Sequence, residues 1–585
     1  MSTTPFNRAA VETWIDDDPN MADAGELRGL LALSDDGDEG ATAELADRFS
    51  GMLTFGTAGL RGHLGAGPNR MNRAVVIRAA AGLTNFLHSQ LPDGFTVVVG
   101  YDARYGSHQF ALDTAAVVEA GGGHALVFET ALPTPVTAFA LRHLNADAAV
   151  MVTASHNPPE DNGYKVYLGG RVVTGAGQGT QIVPPFDAQI LEQIEAVPSV
   201  ASVPRAESGW EFIGDEIVDK YIERITQIVP DGPRDLKIVL TSMHGVGGET
   251  AMKALDRCGF KNVTVVAEQH EPDPDFPTVA FPNPEEPGAL DLAFKTAQEI
   301  GADIILANDP DADRSSAAIP DESSPSGWRQ LTGDEVGSLL GRQKALEVAA
   351  STEPGELTSK MLANSIVSSR LLGKVAADLG LGHANTLTGF KWISRVPGIV
   401  FGYEEALGYC VDPDYVRDKD GISAGSKLAA LAASLKAGDS NLGELLDELA
   451  QKYGLHATSP LTIRVDDLSL IAKGMANLRA GGLTEIAGSP VVTAVDLAKG
   501  SEDLPPTDGL LYITENDDRV VVRPSGTEPK LKCYIEVIEP VADGAVAAAR
   551  VRAAQRLDAI KLAMHPDAPP VAAGPYDVMV ARWFV

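Results

Sequence analysis

Short apolar segments alternate with helical patterns through most of this chain of 585 residues. Two series of predicted strands stand out, namely Phe95–Val99, Ala125–Phe128 and Ala148–Val152, then Lys237–Thr241, Val263–Ala267 and Asp303–Ala307. Strands that alternate with helices favour parallel sheets covered by helices. A single hydrophobic core does not grow to this size, so we expect several α/β domains.

The pattern changes after Tyr453. Predicted strands there are grouped ahead of a helical segment over 541–563; they are Thr462–Val465, Leu511–Thr514, Arg519–Arg523 and Leu531–Val537. Such grouping favours a smaller α+β domain. Strands are also predicted at Asn364–Ser368 and Gly398–Gly402, and polar helices over 8–50.

The formal net charge is −33. It argues against nucleic acid and anionic membrane surfaces as partners, but a small anion could bind in a local basic pocket. No stretch approaches the roughly 18 apolar residues of a membrane span, and the acidic Met1–Pro19 does not resemble a secretory signal. Cys258, Cys410 and Cys533 lack metal or redox spacing, so we expect a cytoplasmic protein.

The most informative motif follows the buried strand Ala148–Val152. The next residues include Ser155, and Pro158-Pro159 then forces a loop. Ser155 is therefore presented at the carboxyl end of a strand, where open α/β sheets place their chemistry. Lys165 can return to the same place. A hydroxyl nucleophile beside a cation is the minimum equipment for accepting a phosphoryl group.

A second motif, Asp309-Pro-Asp311-Ala-Asp313-Arg314, follows another predicted strand. Carboxylates at alternate positions can converge on one hard cation, and we expect Mg²⁺. A calcium loop of the EF-hand type shares this spacing, but Arg314 and Pro320 stand where it needs Gly and Glu. A solvated acidic loop stays open as an alternative, although clustered charge is costly directly after a buried strand.

Further segments carry groups that suit a sugar phosphate. The segment Val521–Lys530 offers the Arg523 fork with Ser525, Gly526 and Thr527, a composition that suits a phosphate; taken alone, it suits a tight turn nearly as well. Cations and carboxylates elsewhere are typical of surface charge when taken singly; they are Arg61 in a glycine-rich loop, Lys391, Arg417, Lys419, Glu404 and Glu405.

The segment Lys237–Glu268 imitates a dinucleotide site. Gly245, Gly247 and Gly248 follow its first strand, but the sixth motif position is Thr250. We therefore expect no nicotinamide or flavin there.

Taken together, these motifs resemble those of the α-D-phosphohexomutases, the superfamily of phosphoglucomutase and phosphomannomutase. The resemblance runs from about Leu53 to Ile560. Its markers stand in family order, namely Gly-Thr-Ala-Gly-Leu-Arg ending at Arg61, Thr153-Ala-Ser-His-Asn-Pro, Asp309-x-Asp-x-Asp-Arg, Thr388-Gly-Phe-Lys, Gly402-Tyr-Glu-Glu-Ala and Arg523-Pro-Ser-Gly-Thr.

The resemblance implies an α/β protein with four domains around a central cleft, three related mixed α/β domains and a smaller C-terminal α+β domain. The expected divisions are an N-terminal helical extension over 1–50, domains over 51–205, 206–325, 326–455 and 456–565, and a tail over 566–585.

The resemblance also implies residue roles. Ser155 would be a phosphoserine that shares a Mg²⁺ site with Asp309, Asp311 and Asp313, while the charged groups would be Arg61, Lys165, Arg314, Lys391 and Lys419. Sugar and distal phosphate would be bound by Glu404, Glu405, Arg417, Arg523, Ser525, Gly526 and Thr527. The implied reaction interconverts hexose 1-phosphate and hexose 6-phosphate, of glucose or mannose, through a bisphosphorylated sugar that also primes the enzyme.

Other functions stay open. Ala406 stands where many members carry Ser, and Tyr403, Tyr409 and the segment from Trp14 resemble the branch of phosphopentomutase and glucose-1,6-bisphosphate synthase. A phosphatase that passes the phosphoryl group to water, and a non-catalytic sugar-phosphate binder, are alternatives of a different class.

Overall fold

The computed structural model of the chain describes residues 5–56, 59–465, 468–502, 504–524 and 530–565. These residues form two compact units. Unit 1 comprises the described residues of Met1–Leu331 and Ala406–Gly438, and unit 2 comprises those of Thr332–Glu405 and Asp439–Val585. Within the described ranges, no helix combines the length and hydrophobicity needed to cross a bilayer.

The described helices are α1 (Arg8–Asp17), α2 (Met21–Asp35), α3 (Glu39–Arg48), α4 (Arg73–Gln90), α5 (Ser107–Ala120), α6 (Thr134–His143), α7 (Phe186–Glu195), α8 (Asp215–Ile228), α9 (Gly247–Arg257), α10 (Asp291–Ile300), α11 (Gly333–Ser351), α12 (Leu371–Leu379), α13 (Phe390–Ile393), α14 (Gly421–Ala437), α15 (Leu442–Tyr453), α16 (Leu468–Gly481) and α17 (Val546–Met564).

The described strands are β1 (Leu60–His63), β2 (Thr96–Tyr101), β3 (His124–Phe128), β4 (Ala148–Val152), β5 (Asp161–Leu168), β6 (Thr180–Gln181), β7 (Glu211–Ile213), β8 (Lys237–Thr241), β9 (Asn262–Val265), β10 (Ile304–Asn308), β11 (Ser315–Pro320), β12 (Trp328–Gln330), β13 (Met361–Ser365), β14 (Gly382–Thr386), β15 (Ile399–Glu404), β16 (Gly408–Cys410), β17 (Leu455–Arg464), β18 (Glu485–Ile486), β19 (Ser489–Asp496), β20 (Leu510–Thr514), β21 (Arg519–Pro524) and β22 (Lys530–Glu539).

The first sheet of unit 1 has the strand order β1-β5-β4-β2-β3-β7, with β6 paired to β5. Strand β2 runs parallel to β3 and β4, whereas β5 runs antiparallel to both β4 and β1. Every residue of β4 is buried, as expected for a central strand with helices on both faces. Helices α4 and α5 supply much of the apolar core around Val76, Leu83 and Ala115.

The second sheet of unit 1 has the order β12-β11-β10-β8-β9. Strands β8, β9 and β10 are parallel, and β11 turns back antiparallel to β10. A turn separates β10 from β11 and carries the aspartate motif. The strand ends of the two sheets of this unit therefore supply the Ser155 loop and the aspartate loop.

Unit 2 contains a parallel sheet and an antiparallel sheet. Strand β13 lies between β14 and β15 and is parallel to both. The later sheet has the order β17-β22-β21-β20-β19-β18, and α16 and α17 contribute Met475, Leu478, Leu557 and Ile560 to its core. The mixed α/β class and the smaller α+β module are confirmed, whereas the six predicted divisions of the chain stay a prediction.

One predicted strand is displaced along the chain. We expected a strand at Asn364–Ser368, but β13 ends at Ser365. Ile366 and Val367 misled the prediction because their apolar side chains pack against Leu497 and Val521 of the later module rather than continuing the sheet.

Candidate active site

The Ser155 loop leaves β4 in a left-handed turn. Ser155 has a φ of +54° and is 3% exposed. Its backbone N–H donates to Thr153 Oγ1 at 2.8 Å, and its hydroxyl donates to Asp309 Oδ2 at 2.9 Å. The structure thus places the candidate nucleophile against the first residue of the aspartate motif.

The imidazole of His156 lies beside the same hydroxyl, with Nδ1 3.3 Å from Ser155 Oγ. Burial lowers the pKa of His156 well below its usual range, and Arg314 and Arg61 lower it further. The ring is therefore neutral at pH 7 and adds no positive charge to the site.

Arg104 holds the Ser155 loop by its backbone. Its Nη2 donates to the carbonyl oxygens of Ser155 at 2.7 Å and Asn157 at 2.5 Å, and its Nη1 donates to those of Pro158 at 2.6 Å and Asp161 at 3.1 Å. The planar guanidinium fork is suited to several acceptors at once. Sequence reasoning missed this residue, since carbonyl acceptors leave no pattern of residue types; its place two residues after Asp102, beyond β2, was the available signal.

The three aspartates form a closed cluster after β10. Asp309, Asp311 and Asp313 are 0% exposed, and one carboxylate oxygen from each lies within 4.8 Å of the others. Ala312 between them has a φ of +53°, and its N–H donates to Asp309 O at 2.9 Å. This turn brings the alternate carboxylates to one side of the loop.

The aspartate cluster suits a divalent cation. Among the described residues, Asp311 Oδ1 and Asp313 Oδ1 are buried without a hydrogen-bond partner. An unpartnered buried carboxylate oxygen is costly, and coordination of a hard cation would satisfy it. Burial and the neighbouring Asp311 and Asp313 raise the pKa of Asp309 well above its usual range, because its negative charge would lie away from water and beside like charges.

Three cations surround these carboxylates. Lys165 Nζ lies 2.7 Å from Asp311 Oδ2 and 2.8 Å from Asp313 Oδ2, and Lys419 Nζ lies 3.1 Å from Asp313 Oδ2. Arg314 Nε lies 3.7 Å from Asp309 Oδ2. Burial opposes ionisation of Asp313, but Lys165, Lys419 and Arg314 outweigh it and hold the pKa of Asp313 below its usual range.

Glycines let the surrounding loops approach the cluster. A Cβ on Gly245 would lie 2.3 Å from Pro310 Cα, and one on Gly247 would lie 2.6 Å from Ala312 Cβ. Two of the three glycines that imitated a dinucleotide site, Gly245 and Gly247, therefore make room for the aspartate loop. Gly421, at the start of α14, is confined in the same way by the carbonyl oxygen of Arg314, 2.1 Å from the position of a Cβ.

A further ring of contacts fixes the charged groups. Thr134 at the start of α6 donates its hydroxyl to Asp311 Oδ2 at 2.6 Å. The buried Asp418, next to Lys419, accepts from Tyr167 at 2.7 Å and Gln181 at 2.8 Å. Sequence reasoning did not identify Thr134 or Asp418, because each acts through a neighbour rather than through a motif of its own.

The remaining predicted cations of unit 1 have different surroundings. Arg61 Nη1 donates to Asn157 Oδ1 at 3.2 Å, which places Arg61 beside the Ser155 loop. Arg417 Nη1 donates to the carbonyl oxygen of Ala176 at 2.5 Å and its Nε to that of Pro413 at 3.0 Å. The structure therefore shows Arg417 in a backbone-binding position, and its role as a substrate contact stays a prediction.

Unit 2 carries the predicted sugar and phosphate residues. Glu404 ends β15 and is 9% exposed, whereas the next residue, Glu405, accepts from Ser365 Oγ and Ser368 Oγ. Arg523 near the end of β21 donates to Thr388 Oγ1, in the loop that leads into α13 and Lys391. Ser525, Gly526 and Thr527, with Thr57 and Ala58 of the glycine-rich loop, lie outside the described residues.

Comparison with known proteins supports one family throughout the chain. The chain matches phosphoglucomutase/phosphomannomutase alpha/beta/alpha domains I, II and III over residues 52–200, 219–322 and 332–453, and the C-terminal domain over 475–553. A probable phosphomannomutase of Haemophilus influenzae is 44% identical over 80% of this chain and 93% of its own length. The phosphoribomutase of Saccharomyces cerevisiae is 34% identical over 92% of this chain and 93% of its own length.

A solved structure shares the fold. The phosphoglucomutase/phosphomannomutase family protein of Burkholderia thailandensis superposes with a TM-score of 0.63 at 20% identity, covering 87% of this chain and 97% of that protein. The chain therefore belongs to the phosphoglucomutase/phosphomannomutase family, and it is a mutase, an isomerase of the phosphohexomutase type.

Proposed function

We propose that the protein interconverts hexose 1-phosphate and hexose 6-phosphate, of glucose or mannose, with Ser155 as the phosphorylated residue. The observation that carries this proposal is the hydrogen bond of 2.9 Å between Ser155 Oγ and Asp309 Oδ2, inside a buried cluster of carboxylates and cations. A hydroxyl at such a place is a phosphoryl acceptor beside a candidate metal site.

The charges of the cluster are suited to this chemistry. Three carboxylates, Asp309, Asp311 and Asp313, face three cations, Lys165, Arg314 and Lys419. A phosphoryl group on Ser155 would add about −2, and one Mg²⁺ would offset it. The three aspartates would hold this ion together with the serine phosphate, and the ion would supply electrostatic stabilisation of the transferring group.

The proposed reaction proceeds in two transfers. A free hydroxyl of the sugar monophosphate attacks the phosphorus on Ser155, so that a new P–O bond forms and the bond to Ser155 Oγ breaks. The attacking hydroxyl gives up its proton, and the released Ser155 Oγ takes one up. The bisphosphorylated sugar then reorients and returns its other phosphate to Ser155. The same bisphosphorylated sugar would phosphorylate a resting enzyme. Transfer to a hydroxyl, rather than to water, requires the sugar to be held firmly.

We assign that binding to residues of unit 2. Glu404 is a carboxylate at a strand end and suits sugar hydroxyls as an acceptor. Arg523 offers two N–H groups to a phosphate that does not react, and Lys391 adds a second cation. Neutral donors to the same phosphate would come from Ser525, Gly526 and Thr527. Contacts of Glu405 and Arg417 with the substrate are also proposed.

A pentose phosphate is the second candidate substrate. The phosphoribomutase relative aligns with more of this chain than the phosphomannomutase relative does, 92% against 80%. Ala406 also lacks the hydroxyl of the Ser that many members of the superfamily are expected to carry at this position. The higher identity of the phosphomannomutase relative, 44% against 34%, favours hexose.

Turnover of purified, phosphorylated enzyme with Mg²⁺ tests the proposal. Glucose 1-phosphate, mannose 1-phosphate and ribose 1-phosphate are supplied in turn, and the isomer, the bisphosphate and free phosphate are all followed. We expect a hexose 6-phosphate without stoichiometric phosphate release. Free phosphate at the rate of turnover would indicate a phosphatase, and accumulation of a bisphosphate would indicate a synthase.

Ser155→Ala is the matching variant and should abolish turnover with the fold retained. Ser426→Ala is its control, since Ser426 is another buried serine of unit 1 and its hydroxyl donates within α14, to Ile422 O at 2.9 Å. Substantial activity in Ser155→Ala would refute the assignment.

A further inference from the structure

The loop Ser365–Arg370, here called the joint loop, contacts both binding regions of unit 2. It begins at the last residue of β13 and ends directly before α12. On one side lies the end of β15 with Glu404 and Glu405, and on the other lies the C-terminal sheet with Arg523. A role for the joint loop in substrate selection rests on the proposed functions of Glu404 and Arg523.

On the β15 side, the joint loop holds Glu405 by both backbone and side chain. Ser368 Oγ accepts from the Glu405 N–H at 3.1 Å and donates to Glu405 Oε2 at 2.8 Å. Ser365 Oγ donates to the same oxygen at 3.1 Å. Because Glu404 is the preceding residue, these bonds restrict where its carboxylate can lie.

On the other side, the joint loop is bound by Glu536 of β22, which is 0% exposed. Glu536 accepts from Ser369 Oγ at 2.8 Å, from Arg370 N at 2.8 Å and from Arg370 Nε at 2.6 Å. Arg519 Nη2 donates to the carbonyl oxygen of Ser368 at 2.6 Å and lies 3.3 Å from Glu536 Oε2. Ser368 is therefore bonded to Glu405 by its hydroxyl and to Arg519 by its carbonyl.

A second carboxylate, that of Asp334, also connects the joint loop to the two regions. Asp334 at the start of α11 accepts from Ser369 N at 2.6 Å, from Tyr403 OH at 2.9 Å and from Thr458 Oγ1 at 2.7 Å. Tyr403 belongs to β15 and Thr458 to β17, so Asp334 joins the same two regions. Hydrogen bonds in such a buried environment are electrostatically stronger than in water, and they restrain the elements that they connect.

Arg519 and Arg523 are both on β21, and a strand is a stiff connection. With a rise of about 3.3 Å per residue, their Cα atoms are separated by roughly 13 Å along the strand. A displacement of Arg519 at the junction is therefore transmitted to Arg523. The chain of connections runs from Glu404 through Glu405, Ser368 and Arg519 to Arg523.

We propose that Ser368 and Arg519 are positioning residues that fix the spacing between Glu404 and Arg523, and that this spacing selects sugar phosphates by length. A hexose 6-phosphate carries one carbon more than a pentose 5-phosphate, a difference of about 1.5 Å along the chain. A misplacement of about 1 Å can cost about 10²-fold in rate. A rigid spacing therefore discriminates between the two, and a loosened one tolerates both.

Two conservative variants test the spacing, one on the Glu404 side and one on the Arg523 side. Ser368→Ala removes the hydroxyl that binds Glu405, and Arg519→Lys weakens the bond to the Ser368 carbonyl while keeping the charge. The assay is kcat/KM for glucose 1-phosphate and for ribose 1-phosphate under identical conditions. We expect the ratio of kcat/KM for the preferred sugar to kcat/KM for the disfavoured sugar to fall about tenfold in each variant. The ratio of the double variant should be no lower than that of either single variant, because both substitutions interrupt the same series of contacts.

Ser338→Ala is the control, since Ser338 is a buried serine of α11 whose hydroxyl has no hydrogen-bond partner among the described residues. Its ratio should equal that of the wild type. Equal losses of kcat/KM for both sugars in Ser368→Ala and Arg519→Lys, or no change in either value, would refute selection by the spacing and leave the proposed function intact. Absence of mutase turnover in the wild type would overturn both.

Discussion

Replacing Arg104 with lysine is expected to cost the enzyme much more activity than stability. The guanidinium binds two pairs of carbonyl oxygens in the Ser155 loop from two different nitrogens. A lysine ammonium donates three hydrogen bonds from one point and cannot span both pairs. At least one bond to a charged donor is lost, at about 1.5–3 kcal/mol.

That loss is of the same size as the strain in the loop. A left-handed conformation costs a non-glycine residue roughly 1–2 kcal/mol, and Ser155 adopts it with a φ of +54°. Without the Arg104 fork, the loop can relax to negative φ, which would carry Ser155 Oγ away from Asp309. A displacement of about 1 Å reduces the rate by about 10²-fold, while Tm falls by only a few degrees.

The assay compares kcat, KM and Tm of Arg104→Lys with those of Arg234→Lys. Arg234 is a suitable control because its guanidinium also binds backbone carbonyls of unit 1, those of Cys258, Pro233 and Pro230. We expect kcat to fall about 10²-fold in Arg104→Lys only, with KM little changed. The reasoning is refuted if kcat is retained, or if Arg234→Lys loses as much.

Three other predictions concern single charged side chains. Lys165→Met should abolish turnover and destabilise the protein by about 3–5 kcal/mol, since Asp311 and Asp313 lose their nearest cation. Millimolar Mg²⁺ should raise the Tm of this variant more than the Tm of the wild type. An equal rise in the two proteins would contradict the metal site. Arg523→Ala should raise KM by about 10- to 100-fold. An effect confined to kcat would exclude the proposed role of Arg523 in binding the phosphate that does not react. Burial opposes ionisation of Glu536, but Arg519 and His456 outweigh it and hold its pKa below the usual value of about 4.3. The stabilisation from the Glu536 carboxylate is thus fully present above that pH and is lost progressively as the pH falls below it, so the Tm difference between wild type and Glu536→Gln should narrow from about pH 5 to pH 3. A constant difference would refute this.

The sequence predicted those features that depend on local pattern. The strand Ala148–Val152 was correct to the residue, because a short apolar run between polar segments has few alternatives. The aspartate motif was likewise recognised, since its carboxylates are closely spaced along one loop. Residues that act on the backbone of a distant loop, such as Arg104, carry no such pattern and emerge only from the fold.

The antiparallel strand Asp161–Leu168 was not predicted, although it carries Lys165. Its sequence mixes polar and apolar residues without alternation, because all but its first residue are buried between other elements. The displaced strand at Ser365 failed for a related reason, since Ile366 and Val367 are apolar for the sake of a contact far along the chain. Both errors arise from tertiary packing, which a local pattern does not record.

The discontinuity of unit 1 has a consequence for synthesis on the ribosome. Lys419 belongs to the segment Ala406–Gly438 of unit 1 and is made about 100 residues after Asp313. At about 5–20 residues per second, the aspartate loop waits roughly 5–20 s for this cation. During that interval the nascent chain carries Asp313 with Lys165 and Arg314 as its basic partners, so a stalled or truncated chain would hold an incompletely neutralised acidic cluster.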